Sequence, residues 1–129
     1  MNRGSTNGTA LRPLALVSGF YDLALALPML LAPEGVARLF GAPAPVPVVN
    51  AQLNGVFTLA LAAGYFWAAR APEERRGYLW VAGVLAKSLG AGLFVADHFL
   101  RGSPASFLLF AVTDGSLAAL TLALLLRRR

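Results

Sequence analysis

Four runs of apolar residues, separated by short polar or proline-rich stretches, organise this chain. They cover about residues 14–31, 49–69, 78–100 and 107–126, each close to the roughly 20 residues that a helix needs to cross a bilayer core. The connections at 70–77 (RAPEERRG) and 101–106 (RGSPAS) are short, which makes successive helices antiparallel neighbours. The pattern therefore predicts an all-α fold, an integral membrane four-helix up-down-up-down bundle. Its domain is expected over 13–126, between a disordered cytoplasmic tail at 1–12 and a basic cytoplasmic end at 127–129. Asp22 and Pro28 interrupt the first run, which is also longer than the core of a secretory signal, so that run is expected to persist as a helix.

After the first run, PEGVARLFG (33–41) predicts a short interfacial helix. Pro33 suits its first turn, Gly41 its C-cap, and Val36, Leu39 and Phe40 form one apolar side. Pro43, Pro45 and Pro47 then favour an extended connector outside the bilayer. Small residues recur at four-residue spacing (Ala60, Gly64, Ala68; Ala111, Gly115, Ala119, Ala123), a pattern that lets helices approach closely.

Composition agrees with a lipid environment. The 129 residues are 57% hydrophobic and 13% charged, about half the roughly 25% charge of an ordinary soluble domain. There is no cysteine, hence no disulfide, thiolate metal site or cysteine nucleophile, and the single histidine cannot build a zinc site. No metal or cofactor is expected. The pI near 10.8 comes from arginines that flank the apolar runs, which points to topology rather than to a nucleic-acid partner. Arg3, Arg12, Arg70, Arg75, Arg76 and Arg127 to Arg129 fall on one side of the expected bundle, and only Arg38 and Arg101 on the other. By the positive-inside rule both termini are cytoplasmic, in what the Ala, Leu, Gly, Arg and Pro bias reads as a bacterial inner membrane. Tyr65 and Trp67, with Tyr78 and Trp80, are placed for an aromatic belt at that face.

Three ionisable residues interrupt the apolar spans. Asp22, Lys87 and Asp114 lie roughly 12, 13 and 18 Å along their helices at ~1.5 Å per residue, which puts them in one mid-membrane layer. A charge there costs about 2.5–3.5 kcal/mol on insertion scales, so the three are expected to face one another. Ser18 shares the Asp22 stripe, Gly83, Gly90 and His98 that of Lys87, and Ala118 and Thr121 that of Asp114. Asn50, Asn54 and Thr58 form a polar line on the second span, giving Ser18, Asn50, Asn54, Thr58, His98 and Thr121 as candidate cavity lining. One reading makes the cluster a register lock, Lys87 pairing with one aspartate. In the other, two carboxyls facing one ammonium leave a proton to be held or shared, as a relay, coupled carrier or acid–base enzyme would use. Asp97 and His98 read as an interfacial pair that ends the third helix near Arg101, or as an outer proton gate, and Glu73 to Arg76 as a solvated turn.

GFYDLALALPMLLAP in the first helix, RLFGAP in the first loop, LAKSLGAGLF in the third helix and FAVTDGSLAALTLALL in the fourth resemble small bacterial four-helix membrane proteins of the DoxX-like type. The resemblance covers roughly residues 14–126 through mostly apolar motifs. It implies the four-helix membrane fold and, for some members, a supporting role in redox or sulfur metabolism, for which no cysteine or cofactor motif is present here. Three functions stay open: an accessory or binding subunit, as a homodimer or in a larger membrane complex; a small proton-coupled transporter; and a membrane-embedded acid–base enzyme acting on an apolar substrate.

Overall fold

The structure, a computed structural model, describes the backbone of residues 5–127. Every regular element among them is helical: α1 (Ser5–Leu31), α2 (Pro33–Leu39), α3 (Val48–Arg70), α4 (Arg76–Arg101) and α5 (Ala105–Leu126). Over Leu79–Ala86, α4 is wound as a π-helix, and α5 opens with a 3₁₀ turn over Ala105–Phe107. Three helices are long and apolar enough to cross a membrane: the Ala10–Leu31 part of α1, α4 and α5. With 23 residues α3 has the length, but Asn50, Gln52 and Asn54 in its first two turns lower its hydropathy.

The expected disordered tail at 1–12 is corrected by α1, which is helical from Ser5. Leu11 is 1% exposed there and Ala15, one turn on, 2%. This apolar face gives the segment something to bury, which offsets the entropy of ordering it. Residues 1–4 and 128–129, with the rest of the expected tail and basic end, lie outside the described residues.

Sequence explains the other boundaries. Pro33 starts α2 at a position where a missing N–H costs nothing. At the end of α4, Gly102 takes the left-handed conformation (φ 71°) and returns its N–H to the His98 carbonyl at 3.1 Å. Between α3 and α4 the charged turn is more structured than a solvated loop. Arg76 binds Glu73 at 3.3 Å and donates to the Leu125 carbonyl at 2.7 Å, while Arg75 lies 4.3 Å over the Trp67 ring and donates to the Trp67 carbonyl.

The long helices pack as two antiparallel pairs. Along most of its length α1 lies on α3, with Gln52 Nε2 donating to the Leu30 carbonyl at 3.3 Å, and α4 lies on α5. The pairs join at one end through a buried cluster drawn from all four: Leu11 and Ala15, Tyr65, Ala68 and Ala69, Leu79 and Ala82, and Leu125. Toward the other end they diverge. There α3 packs on the π-helical part of α4 but makes no comparable contact with Lys87–Arg101. The chain segment from α2 to Pro45 borders the opening, and Ser106 Oγ donates to the Phe40 carbonyl at 2.5 Å.

Polarity is inverted relative to a water-soluble helical domain. Val17, Phe20, Val81, Leu89, Leu93 and Val112 point outward and exposed, whereas Ser18, Asp22, Lys87 and Thr121 are buried.

The α1–α3 pairing depends on Gly55. A Cβ there would lie 2.9 Å from Leu30 Cγ and 3.2 Å from the Ala26 oxygen. Gly55→Val is expected to lower stability in detergent by about 1–3 kcal/mol through overpacking. Gly92→Ala, where an added Cβ meets nothing within 4 Å, should leave the melting temperature unchanged or slightly raised. Equal thermal melts for the two variants would contradict the packing.

Candidate functional site

Lys87 is the first residue after the π-helical turns of α4. Its Nζ donates to Asp22 Oδ1 on α1 at 2.9 Å and to Asp114 Oδ1 on α5 at 3.3 Å. The three charges expected in one layer thus meet. Gly83 and Gly90, on either side of Lys87 along α4, keep α5 close: an added Cβ would lie 2.9 Å from Thr121 Cγ2 at Gly83 and 3.8 Å from Asp114 Oδ2 at Gly90. The ammonium also sits 5.1 Å from the Tyr21 ring centre and 5.5 Å from that of Tyr65, within range of cation–π attraction.

The two carboxylates are held differently. Asp22 and Lys87 have side chains 6% and 7% exposed and form the shorter bridge, whereas Asp114 is 17% exposed and forms the longer one. Asp22 Oδ2, Ser18 Oγ and the Tyr65 hydroxyl are buried with no hydrogen-bond partner among the described residues. Such groups are rare in folded proteins and mark places where water, an ion or a ligand atom completes the set.

Beside the cluster lies a cavity of about 750 Å³, within the usual size of small-molecule sites. Asp22, Lys87, Asp114, Asn54 and Thr58 supply its polar lining. Apolar side chains such as Leu25, Met29, Val36, Phe57, Phe94 and Phe107 supply most of the rest. Ala24 and Pro28 also line it.

The other candidates fall outside this space. Asn50 is exposed on the first turn of α3, and Ala51 and Asn54 line the cavity instead. Ser18 is 1% exposed, one turn from Asp22 toward the closed end, and does not line the cavity. Thr121 is 3% exposed, packs on Gly83 and donates to the Leu117 carbonyl at 2.7 Å. His98 Nδ1 lies 2.7 Å from the Ser103 carbonyl, and Asp97 bridges Arg101 at 2.9 Å, so this pair terminates α4. The cavity stops short of His98, at Phe94, whose ring packs 5.2 Å from Phe110 and 6.1 Å from Phe107.

Tyr65 and Tyr78 also depart from the expected aromatic belt. Tyr65 is 1% exposed and Tyr78 donates from its hydroxyl to the Leu61 carbonyl at 2.5 Å, while Trp67 and Trp80 remain on the outside. Helical spacing holds the missed signal, since Asn54, Thr58, Leu61 and Tyr65 follow at i, i+4, i+7 and i+11 on one face. Tyr21, next to Asp22, was also missed; its hydroxyl lies 2.5 Å from Thr113 Oγ1 and joins α1 to α5.

No protein-family model, curated protein or solved structure matches this chain. The site is therefore read from its geometry. Among the described residues no group of three or more His, Cys, Asp or Glu could hold a metal ion. What the arrangement offers is an apolar space with one ammonium and two carboxyl groups at its polar side.

Removing the ammonium tests the cluster. Lys87→Met strands two carboxyls in the interior and is expected to destabilise the fold by roughly 3–5 kcal/mol. Adding Asp22→Asn should recover most of that loss, because a neutral amide needs no counterion. Melting curves of the single and double variants in detergent check this, and equal curves would count against the ion pair as a register lock.

Proposed function

We propose that the chain is a four-helix integral membrane protein of the bacterial cytoplasmic membrane, with both termini cytoplasmic, that binds a small apolar molecule carrying a polar head. One observation carries the reading: the cavity of about 750 Å³ reaches Asp22, Lys87 and Asp114 together. Its apolar lining suits a hydrocarbon body, and the charged cluster with Asn54 and Thr58 suits a head group. The outward Leu, Val and Phe side chains and the inward polar stripes support a bilayer as the solvent.

Binding, as an accessory subunit would perform it, is favoured over transport. A carrier needs a path on both sides of its site, and the packed end built from Leu11, Tyr65, Ala69, Leu79 and Leu125 blocks one side. Transport would require that cluster to part. Catalysis would need a reacting group held against Lys87 or Asp114, for which the cavity leaves room but to which no further nucleophile points.

Two measurements test the reading. Because the chain has no cysteine, single cysteines report topology: Ala105→Cys should react with an impermeant maleimide on intact cells, and Glu74→Cys only after permeabilisation. The reverse pattern would overturn the orientation. Native mass spectrometry of protein released from mild detergent should show a retained small apolar molecule, and Ala51→Trp, which fills the cavity, should lose it while keeping the melting temperature. No retained molecule, or equal retention by Ala51→Trp, would overturn the binding role.

A further inference from the structure

The polar side of the cavity is not charge-balanced, and this specifies the head group. Resting on the reading of the cavity as a ligand site, we propose that its ligand is a lipophilic cation that takes the place of a proton at Asp114.

Among the cavity-lining residues the charged side chains are Asp22, Lys87 and Asp114. The single ammonium is already shared between the two carboxyls, at 2.9 and 3.3 Å. An apolar surround does not hold the remaining negative charge unpaired. With the cavity empty, one proton resides on the cluster. A bound cation supplies the same charge, so the exchange is Asp114 carboxylic acid plus cation giving Asp114 carboxylate, paired cation and one proton released to water.

Asp114 is the exchanging partner because it is the more accessible of the two carboxyls and the more loosely bridged. Asp22 is 4% exposed and makes the shorter bridge, whereas Asp114 is more open and has Gly90 opposite its Oδ2. The other titratable groups near the cluster are Tyr21 on α1, Tyr65 on α3, and Tyr78 and Lys87 itself on α4; α2 and the proline loop place none in the cavity. The surroundings favour a cation over an anion. Phe40, Phe57, Phe94, Phe107 and Phe110 border the space, and aromatic faces attract positive charge. An anion would meet two carboxyls and an ammonium already committed to both.

The test is calorimetric titration of the full chain in detergent with tetraphenylphosphonium, in two buffers of different ionisation enthalpy, which counts protons. About one proton should be released per cation bound, and affinity should fall by up to about tenfold per unit of falling pH while the proton competes. Asp114→Asn should lose at least tenfold in affinity together with the proton release, yet still bind neutral triphenylphosphine oxide. Tetraphenylphosphonium binding without proton release or pH dependence would overturn the exchange. So would tighter binding of tetraphenylborate, while the ligand-site reading stood. Failure of all three probes to bind would overturn both.

Discussion

A lysine bridging two aspartates inside apolar helices is the interaction on which the arrangement depends. Each charge is expensive in hydrocarbon on its own, by about 2.5–3.5 kcal/mol or more. Asp22, Lys87 and Asp114 sit on three different helices, and Lys87 reaches both partners at hydrogen-bonding distance. Moving any of these helices by one residue would turn its charge by about 100° and shift it by about 1.5 Å, out of reach of the others. The requirement to pair these charges therefore selects one register for α1, α4 and α5 where interchangeable Leu and Ala contacts alone would tolerate several. Discrimination of this kind is the best-attested benefit of buried ion pairs, whose net contribution to stability is small.

The cluster also divides the molecule. On one side the helices carry small residues, Ala15, Ala68, Ala69 and Ala82, with Tyr65 filling the space between them, and all four long helices close together. On the other side the chain supplies Phe57, Phe94, Phe107 and Phe110, a proline in α1 and a proline-rich connector, and the two helix pairs part. Bulky rings hold backbones apart where alanines let them approach. The charges consequently stand at the boundary between a packed half and a hollow half, rather than in the middle of a uniform core.

Structural and functional readings of the cluster are thereby compatible. The Asp22–Lys87 bridge, nearly closed to the surface, fixes helix register, and Asp114 is the looser member beside the hollow. Two carboxyls around one ammonium suffice for both tasks on the proposed reading, because a single positive charge bridges both but balances only one. The π-helical stretch just before Lys87 widens α4 where Leu79, Ala82 and Gly83 are buried, a departure from α geometry often found beside functional residues.

Local chemistry made the helices legible from the sequence. Apolar run length and the punctuation by Pro33, the prolines at 43–47, Gly102 and the charged turn place α2 to α5 within about two residues of their observed ends. Mid-depth counting brought Asp22, Lys87 and Asp114 together, since a lone charge in an apolar span has few alternatives to a partner at the same level. Facing direction was less legible. Ser18, Thr121 and His98 share stripes with the charges, yet whether a stripe meets a void or a neighbour depends on how far apart the helices stand. Their separation is a property of packed volume, of Phe94 against Phe107 and Phe110 or Gly83 against Thr121, and no single helix encodes it. The sequence alone thus determined the helices and the meeting of the charges; only tertiary packing decided that one side of that meeting is solid and the other hollow.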